Sequence, residues 1–422
     1  MDENPPTPET PPPPPPAARP VPLLRVGSPD SMLAVIPGLL GFHPTRSLVV
    51  VGAGPPRGRI QVAFRYDLPE PPDPAAAAKI AAHATAVLAR HQLTVAVVAG
   101  YGPGPMVTPV ADALVAELRR ADVTLHDMLR VENGRYWSYS CTDPRCCPPE
   151  GTPFDPGGHP AAATMAAAGS KALRDRATLA ATIAPVGGLA AESMRQATRR
   201  AERRVTDLIR AGLGPGRAGG AAQPLIAEGL RAVAEAIGLY RGGGQITSDH
   251  QLAWLVVSIA DLRVRDDAWA RMDPGHIEAH LRLWTDVTRR AAARYVPAAA
   301  SLLAFTAWQA GNGALANLAA ERALAADPEY SMALLLLDAI GAGLPPSAAR
   351  LPMTPEEVAA SYASQGGPKA KRARRGQGAA RASRRAPGVR PARSRPGARG
   401  SGREGGPPGN GERPRAAGHA AR

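Results

Sequence analysis

The sequence predicts an α/β region with a mixed sheet, followed by an all-α region that ends in a tetratricopeptide-like helical hairpin. Short apolar or alternating runs are interleaved with helical stripes before residue 156, and helical periodicity alone follows. The first residues of the chain are rich in proline, and the last ones are rich in arginine, glycine and proline. The predicted segments are a disordered Pro-rich stretch at 1–21, an α/β domain at 24–156, an α-helical domain at 157–362 with a tetratricopeptide-like end at 296–343, and a disordered Arg/Gly/Pro-rich tail at 363–422.

Three apolar or alternating runs in the first region predict strands. Ser47–Val51 is continuously apolar, as in a central strand covered on both faces. Residues 60–66 alternate apolar and polar side chains, as in a half-exposed strand, and the loop 54–58 predicts a hairpin between these two strands. Leu93–Ala99 is a second buried strand. Asn133-Gly134 predicts a further hairpin, because both turn residues tolerate positive φ.

Helical stripes separate and follow these strands. Helices are predicted at Ser31–Leu40, despite Pro37, and at Ala75–Arg90, and a stripe from Val107 to Leu118 predicts a third. In the second region, Ser248 precedes a helix whose predicted core stripe is Leu252, Leu255, Val256, Ile259 and Leu262. Asp273-Pro274 predicts another helix start, on which His276 and His280 would be two exposed histidines.

A helical hairpin is predicted around Gly311. Small residues at Ala316, Ala320 and Ala323 follow this glycine, and Asp327-Pro328 ends the second helix. The spacing resembles the second half of a tetratricopeptide repeat, although only one unit is convincing. An ordinary Ala-rich helical hairpin is the alternative.

Composition and motifs exclude several classes of protein. No apolar run is long enough to span a bilayer, and the acidic, Pro-rich start differs from a secretory signal, so a cytoplasmic protein without membrane association is expected. No lysine is followed by Ser or Thr, as a P-loop requires, and neither Gly-x-Ser-x-Gly nor His-Glu-x-x-His occurs. These absences exclude P-loop nucleotide-binding proteins, hydrolases with a Gly-x-Ser-x-Gly elbow and His-Glu-x-x-His zinc proteases.

The positive charge of the chain belongs to its tail. Residues 368–422 hold 16 of the 50 Lys and Arg and 2 of the 36 Asp and Glu, so the remainder is electrically balanced. The tail is a candidate for weak, sequence-indifferent nucleic-acid contact, since arginines neutralise phosphates but no aromatic side chain offers a stacking surface. A solvated tail without a dedicated partner is the alternative.

Polar and glycine residues at the ends of predicted strands and helices are the candidate ligand-binding groups. A histidine beside a carboxylate and guanidinium groups can bind an anion or transfer protons, and loops between a strand and a helix expose free N–H groups. A structural ion pair and a rigid turn are the alternatives. The candidates are His43, Arg46, Ser47, Arg65, Asp67, Gly100, Tyr101, Gly102, Arg135 and Trp137.

The three cysteines form the most suggestive chemical cluster. Cys141, Cys146 and Cys147 could hold zinc, with His159 or His43 as a fourth ligand. Against zinc, adjacent cysteines usually point in different directions and the chain has no fourth cysteine. Redox-sensitive thiols and plain structural thiols are the alternatives, and no cofactor is otherwise expected.

Five separated blocks carry a resemblance to a known family. They are LLGFHP at 39–44 followed by SLVV at 47–50, RYDLP at 65–69, RYWSY at 135–139 followed by CTDPRCCPPEG at 141–151, VRDDAW at 264–269 and AWQAG at 307–311. Together they resemble an actinobacterial family known as domain of unknown function 4192, over roughly residues 24–362. The resemblance implies an intracellular protein and supplies no catalytic residue.

The leading functional hypothesis is a non-enzymatic binding or regulatory module. The α/β domain would bind a small ligand, and the helical domain would bind a protein partner. The alternative is an enzyme with its site around His43, Arg65, Asp67 and the Tyr101 loop.

Overall fold

A mixed sheet forms in the first half of the chain, as predicted, and it has six strands in the described residues. The computed structural model describes residues 24, 26–55, 58–213, 222–349 and 353–365. Within them the strands are β1 (Ser47–Gly54), β2 (Arg59–Asp67), β3 (Val95–Tyr101), β4 (Thr124–Glu132), β5 (Arg135–Ser138) and β6 (Thr152–Pro153). They lie in the order β2-β1-β3-β4-β5-β6, with β3 and β4 parallel and the other neighbours antiparallel. The predicted disorder at 1–21 concerns residues outside the described ranges. Of the predicted disordered tail at 363–422, residues 363–365 belong to a helix that spans Pro355–Gln365, and the others lie outside the described ranges.

Helices accompany the sheet and make up the second half of the chain. In the described residues they are α1 (Pro29–Leu40), α2 (Pro74–Arg90), α3 (Gly104–Arg120), α4 (Pro160–Ala167), α5 (Arg176–Ala181), α6 (Gly188–Gly212), α7 (Gln223–Arg241), α8 (Asp249–Ser258), α9 (Leu262–Ala270), α10 (Ile277–Arg290), α11 (Val296–Gln309), α12 (Gly313–Ala326), α13 (Ser331–Gly341) and α14 (Pro355–Gln365). Among these residues, no helix combines the length and the apolar character that a bilayer crossing requires.

β1 is the central strand that its apolar run predicts. Its residues Leu48 and Val50 are fully buried against α2 and α3, in the apolar cluster on one face of the sheet. Val49 and Val51 belong to the cluster on the opposite face, which also contains core residues of α1 and of the helical half. One face of the sheet therefore packs against two helices, and the other shares a core with the second half of the chain.

The helical hairpin predicted around Gly311 is present. α11 and α12 pack closely, and Gly311 joins them with a positive φ of 76°. The small residues Ala316, Ala320 and Ala323 are fully buried at this contact. The tetratricopeptide-like character of the hairpin stays a prediction.

Two sequence predictions in the helical half are wrong in detail. The helix after Ser248 ends at Ser258, and Leu262 begins α9 with a side chain that is 56% exposed, because Asp261 caps the new helix by accepting from Arg263 N. His280 is buried rather than exposed. Residues 274–276 form a 3₁₀ turn before α10, so the four-residue spacing from His276 does not place both histidines on one α-helical face.

The Asn133-Gly134 hairpin is present between β4 and β5. The φ angles of these two residues are 50° and 71°, as a type I′ turn requires. β6 was not predicted: Thr152 and Pro153 pair with β5 and place a sixth strand at this end of the sheet.

The substitution Gly134→Val is expected to lower the free energy of unfolding by roughly 1–3 kcal/mol, because a β-branched residue strongly disfavours positive φ. It should also speed thiol labelling of the cysteines that follow β5. Urea denaturation and labelling kinetics measure the two effects. Gly134→Asn is the matched control. Because asparagine accepts a positive φ, this variant should lose less stability than Gly134→Val. Unchanged stability together with unchanged labelling would contradict the role assigned to the turn.

Candidate functional site

A cleft of about 680 Å³ runs along the outer edge of β2. β2 is the last strand of the sheet on this side, and all of residues 61–67 line the cleft. The opposite walls come from α2, from the end of α1, from α11 and α12, and from residues 340–346. The volume falls within the range of ligand pockets in proteins.

The backbone of β2 presents unpaired peptide groups to this cleft. Hydrogen-bonded and non-hydrogen-bonded pairs alternate along an antiparallel ladder. Leu68 N donates to Arg46 O at 2.9 Å, which makes this a hydrogen-bonded pair. The register then turns the N–H and C=O groups of Ala63, Arg65 and Asp67 away from β1. Among the described residues, no partner reaches these outward groups.

One wall of the cleft combines a tyrosine–histidine pair with apolar side chains of α2. Tyr66 Oη lies 2.6 Å from His83 Nδ1, and the two rings meet edge to face. Burial raises the pKa of Tyr66 above its ordinary value, so the phenol stays protonated and can donate to the histidine. Val87 and His91 continue this wall along α2.

The opposite wall is largely aromatic and apolar, with one ion pair. Phe42 and Trp308 line it and are almost fully buried. The Nη2 atom of Arg176 lies 2.7 and 2.8 Å from the two carboxylate oxygens of Glu321. Asn317 lies one helical turn before Glu321 and adds an amide to the same wall.

Arg65 is a charged residue of β2 that lines the cleft, and its side chain already has hydrogen-bond and ion-pair partners. Its Nε donates to Ser47 Oγ at 2.7 Å, and a terminal nitrogen pairs with Asp67. The guanidinium also lies 5.9 Å from the centre of the Phe42 ring. Because both arginines of the cleft are paired with carboxylates, the cleft contains no unpaired guanidinium among its described residues.

One end of the cleft is closed by contacts between α2 and the segment after α13. Arg90 donates to the carbonyl of Ala342, and His91 Nε2 lies 2.6 Å from the carbonyl oxygen of Gly343. Gly343 has a φ of 65°, and a Cβ atom there would lie 2.7 Å from Val87. The glycine is therefore required by this close approach.

The structure brings together only part of the predicted ligand-binding set. Arg65 and Asp67 line the cleft, and Ser47, which is buried and does not line it, accepts a hydrogen bond from Arg65. His43 does not line it and makes no side-chain hydrogen bond or ion pair among the described residues. Arg46 is occupied by an ion pair with Glu70.

The predicted glycine loop lies elsewhere in the sheet. Gly100 and Tyr101 belong to β3, and Tyr101 Oη is buried with no hydrogen-bond partner in the described structure. A Cβ atom on Gly100 would lie 2.2 Å from Val107, so this glycine allows α3 to pack closely on the sheet. Gly102 precedes α3 with a φ of 148°.

Arg135 and Trp137 lie near the other end of the sheet, on β5. Arg135 donates to the carbonyl of Gly151 at 2.7 Å, and Trp137 Nε1 donates to that of Pro149 at 2.9 Å. Both side chains hold the loop that contains the three cysteines. Three strands, β1, β3 and β4, thus lie between these two candidates and the strand β2 that lines the cleft.

The cysteines cluster, but the predicted histidine ligands do not join them. Cys141, Cys146 and Cys147 place their Sγ atoms within 4.8 Å of one another, and no other histidine, cysteine or carboxylate of the described residues belongs to this group. His159 instead caps α4: its Nδ1 accepts from Ala161 N at 3.1 Å.

Sequence reasoning missed the residues that form the walls of the cleft. His83, Arg176, Trp308 and Glu321 come from four different helices, and the Arg176–Glu321 pair spans 145 positions of sequence. No local pattern identifies such contacts. The only local signal was the alternation in β2, which indicated a half-exposed strand.

The fold is a mixed sheet with helices, and a cleft lies along the outer edge of the edge strand β2. The family described as Domain of unknown function (DUF4192) has a model that matches residues 29–347, and the chain belongs to this family. No curated protein and no solved structure is significantly similar to the chain.

Proposed function

We propose that the protein is a non-enzymatic peptide-binding module, in which an extended segment of a partner protein adds to the outer edge of β2. The observation that carries this proposal is the outward N–H and C=O groups of Ala63, Arg65 and Asp67 in the cleft. Strand addition satisfies such groups by backbone hydrogen bonds, and side-chain pockets supply the specificity.

The spacing of these groups favours a peptide over a compact small molecule. Outward residues recur at every second position, so matching donors and acceptors must repeat about every 7 Å along the ligand. An extended polypeptide has this repeat in its own backbone. A compact ligand would leave part of the edge unpaired, at a cost for each buried polar group.

The walls favour uncharged, mainly apolar side chains on the bound segment. Successive side chains of a strand point to opposite sides, so they would alternate between the α2 wall and the Phe42–Trp308 wall. Arg65 and Arg176 are already paired with Asp67 and Glu321, so an acidic residue would have to compete with a bound carboxylate.

The enzyme hypothesis has less support from these contacts. His43 and Tyr101 do not line the cleft, and the carboxylate of Asp67 is held by Arg65. Nucleic-acid contact through residues 368–422 stays a prediction about residues outside the described ranges. We also propose a reducing, intracellular compartment, which the three free thiols favour.

The test uses short linear peptides of about seven residues, the length of β2 in the cleft at 61–67. A random displayed library is selected on the full chain, and enriched peptides are resynthesised with blocked ends. Fluorescence polarisation then measures binding of peptides that are N-methylated at one position at a time. Strand addition predicts that methylation weakens binding at alternate positions only, because every second N–H faces β2.

The matched protein variants are Ala63→Pro and Ala63→Ser. Proline is tolerated at an edge position whose N–H points outward, so the β1–β2 ladder should survive. Proline removes the outward N–H donor of residue 63, and its ring occupies the space in which the peptide backbone would pair with β2. We expect the affinity for the peptide to fall at least about tenfold. Ala63→Ser keeps the N–H and should bind normally. Failure to select any peptide, equal effects of methylation at all positions, or normal binding by Ala63→Pro would each overturn the proposal.

A further inference from the structure

The loop after β5 gathers three thiols at one point. The Sγ atoms of Cys141, Cys146 and Cys147 lie within 4.8 Å of one another. Neighbouring side chains on an extended strand would diverge, but here the N–H groups of Cys146 and Cys147 both donate to the carbonyl of Asp143, at 3.1 and 2.7 Å. This turn brings both adjacent thiols back toward Cys141.

The loop is held in this shape by contacts to β5 that do not involve the sulfurs. Trp137 and Arg135 donate to carbonyl groups of the loop, as described above. Ser138 Oγ accepts from Cys141 N at 3.2 Å. Gly151 has a φ of 82°, and a Cβ atom there would lie 2.5 Å from the Trp137 ring. The three thiols are therefore positioned by the backbone in advance of any ligand.

Thiolates, rather than thiols, are the metal-binding form of cysteine, so an ion bound by these three sulfurs would hold them as thiolates.

We propose that Cys141, Cys146 and Cys147 bind one Zn²⁺ ion as three thiolates, leaving a fourth position for water or an external ligand. Zinc sites with three protein ligands and one open position are an established class. Binding converts three thiols into three thiolates and releases three protons for each ion bound. No histidine or carboxylate of the described residues completes the group.

His159 does not serve as the fourth ligand in this assignment. Its Nδ1 accepts from the backbone of α4, and its Nε2 lies 3.4 Å from Asp30 Oδ2. The site is independent of the proposed peptide cleft, because β5 and β2 are separated by three strands.

Metal analysis of the full chain, purified under reducing conditions and equilibrated with zinc and then with a weak chelator, tests the proposal. We expect one zinc per chain. Replacement by Co²⁺ should give thiolate-to-cobalt charge-transfer absorption and the visible bands of a tetrahedral ion. Imidazole should shift the visible bands by occupying the open position.

Variants in the same loop separate ligands from neighbours. Cys146→Ser is expected to weaken zinc binding by at least about 100-fold, beyond the usual effect of losing an outer-shell partner. Thr142→Ala and His159→Gln should keep the wild-type affinity and cobalt spectrum. No retained metal, full binding by Cys146→Ser, loss of the spectrum in His159→Gln, or a spectrum unaffected by imidazole would each overturn the three-thiolate site with an open position.

Discussion

The substitution Trp284→Ala is expected to lower the free energy of unfolding by about 3–5 kcal/mol. Trp284 is the largest side chain that is completely buried, and it lies on α10 within the cluster that also contains Val49 and Val51 of the sheet. Removing the indole leaves a cavity in the core shared by both halves of the chain. Urea denaturation followed by circular dichroism and by thiol exposure measures the loss.

The conservative variant Trp284→Phe is the matched control. It keeps an aromatic ring and removes the buried indole N–H, which has no hydrogen-bond partner among the described residues. We expect it to lose less stability than Trp284→Ala, since less apolar surface is removed. Equal and small losses in the two variants would show that this part of the core is not closely packed.

The protein is expected to lose about 3 kcal/mol of stability through His280 as the pH falls from about 6.5 to about 4. Burial lowers the pKa of His280 to about 4, and the nearby charges of Arg241 and His276 act in the same direction, while Asp273 opposes them. The unfolded chain therefore binds a proton below pH 6.5 that the folded chain excludes. The loss of stability begins near pH 6.5, the pKa of histidine in the unfolded chain. It is complete once the pH is below the pKa of His280 in the folded protein.

Urea unfolding of the wild type and of His280→Gln between pH 7.5 and pH 4.5 checks this expectation. The two proteins can differ in absolute stability, because what is compared is how steeply the free energy of unfolding of each one changes with pH. We expect a shallower slope for His280→Gln. His126→Gln, which removes an exposed histidine of β4, is the control and should keep the wild-type slope. Parallel slopes for the wild type and His280→Gln would contradict the buried neutral histidine.

Much of the sheet could be predicted because its signals are local. The continuous run in β1, the alternation in β2 and the Asn133-Gly134 turn each depend on a few neighbouring residues. β6 carries no such signal, because it has only two residues and exists through its pairing with β5. Its position depends on the loop that the cysteines occupy.

The part of the candidate site that could be predicted is the part formed by residues of β2 and its neighbour in the sheet. Arg65 and Asp67 are two residues apart on β2, so their side chains share a face of the sheet, and Ser47 lies opposite Asp67 in the register. The cleft walls depend on how distant helices pack against the sheet, which no local pattern specifies.

Two expectations from the sequence differ from the structure because of short turns in the backbone. The 3₁₀ turn at 274–276 breaks the helical spacing that suggested two exposed histidines. The turn at Asp143 overrides the usual divergence of adjacent side chains and brings Cys146 and Cys147 together.

Amide hydrogen exchange at individual residues of β2, measured on the full chain with and without a selected peptide, tests the central proposal most directly. In the free protein the amides of Ala63, Arg65 and Asp67 should exchange faster than those of Phe64 and Tyr66, which face β1. Peptide addition should slow exchange at the three outward amides and leave the two inward ones nearly unchanged. Binding that slows both sets equally, or neither, would contradict strand addition at the β2 edge.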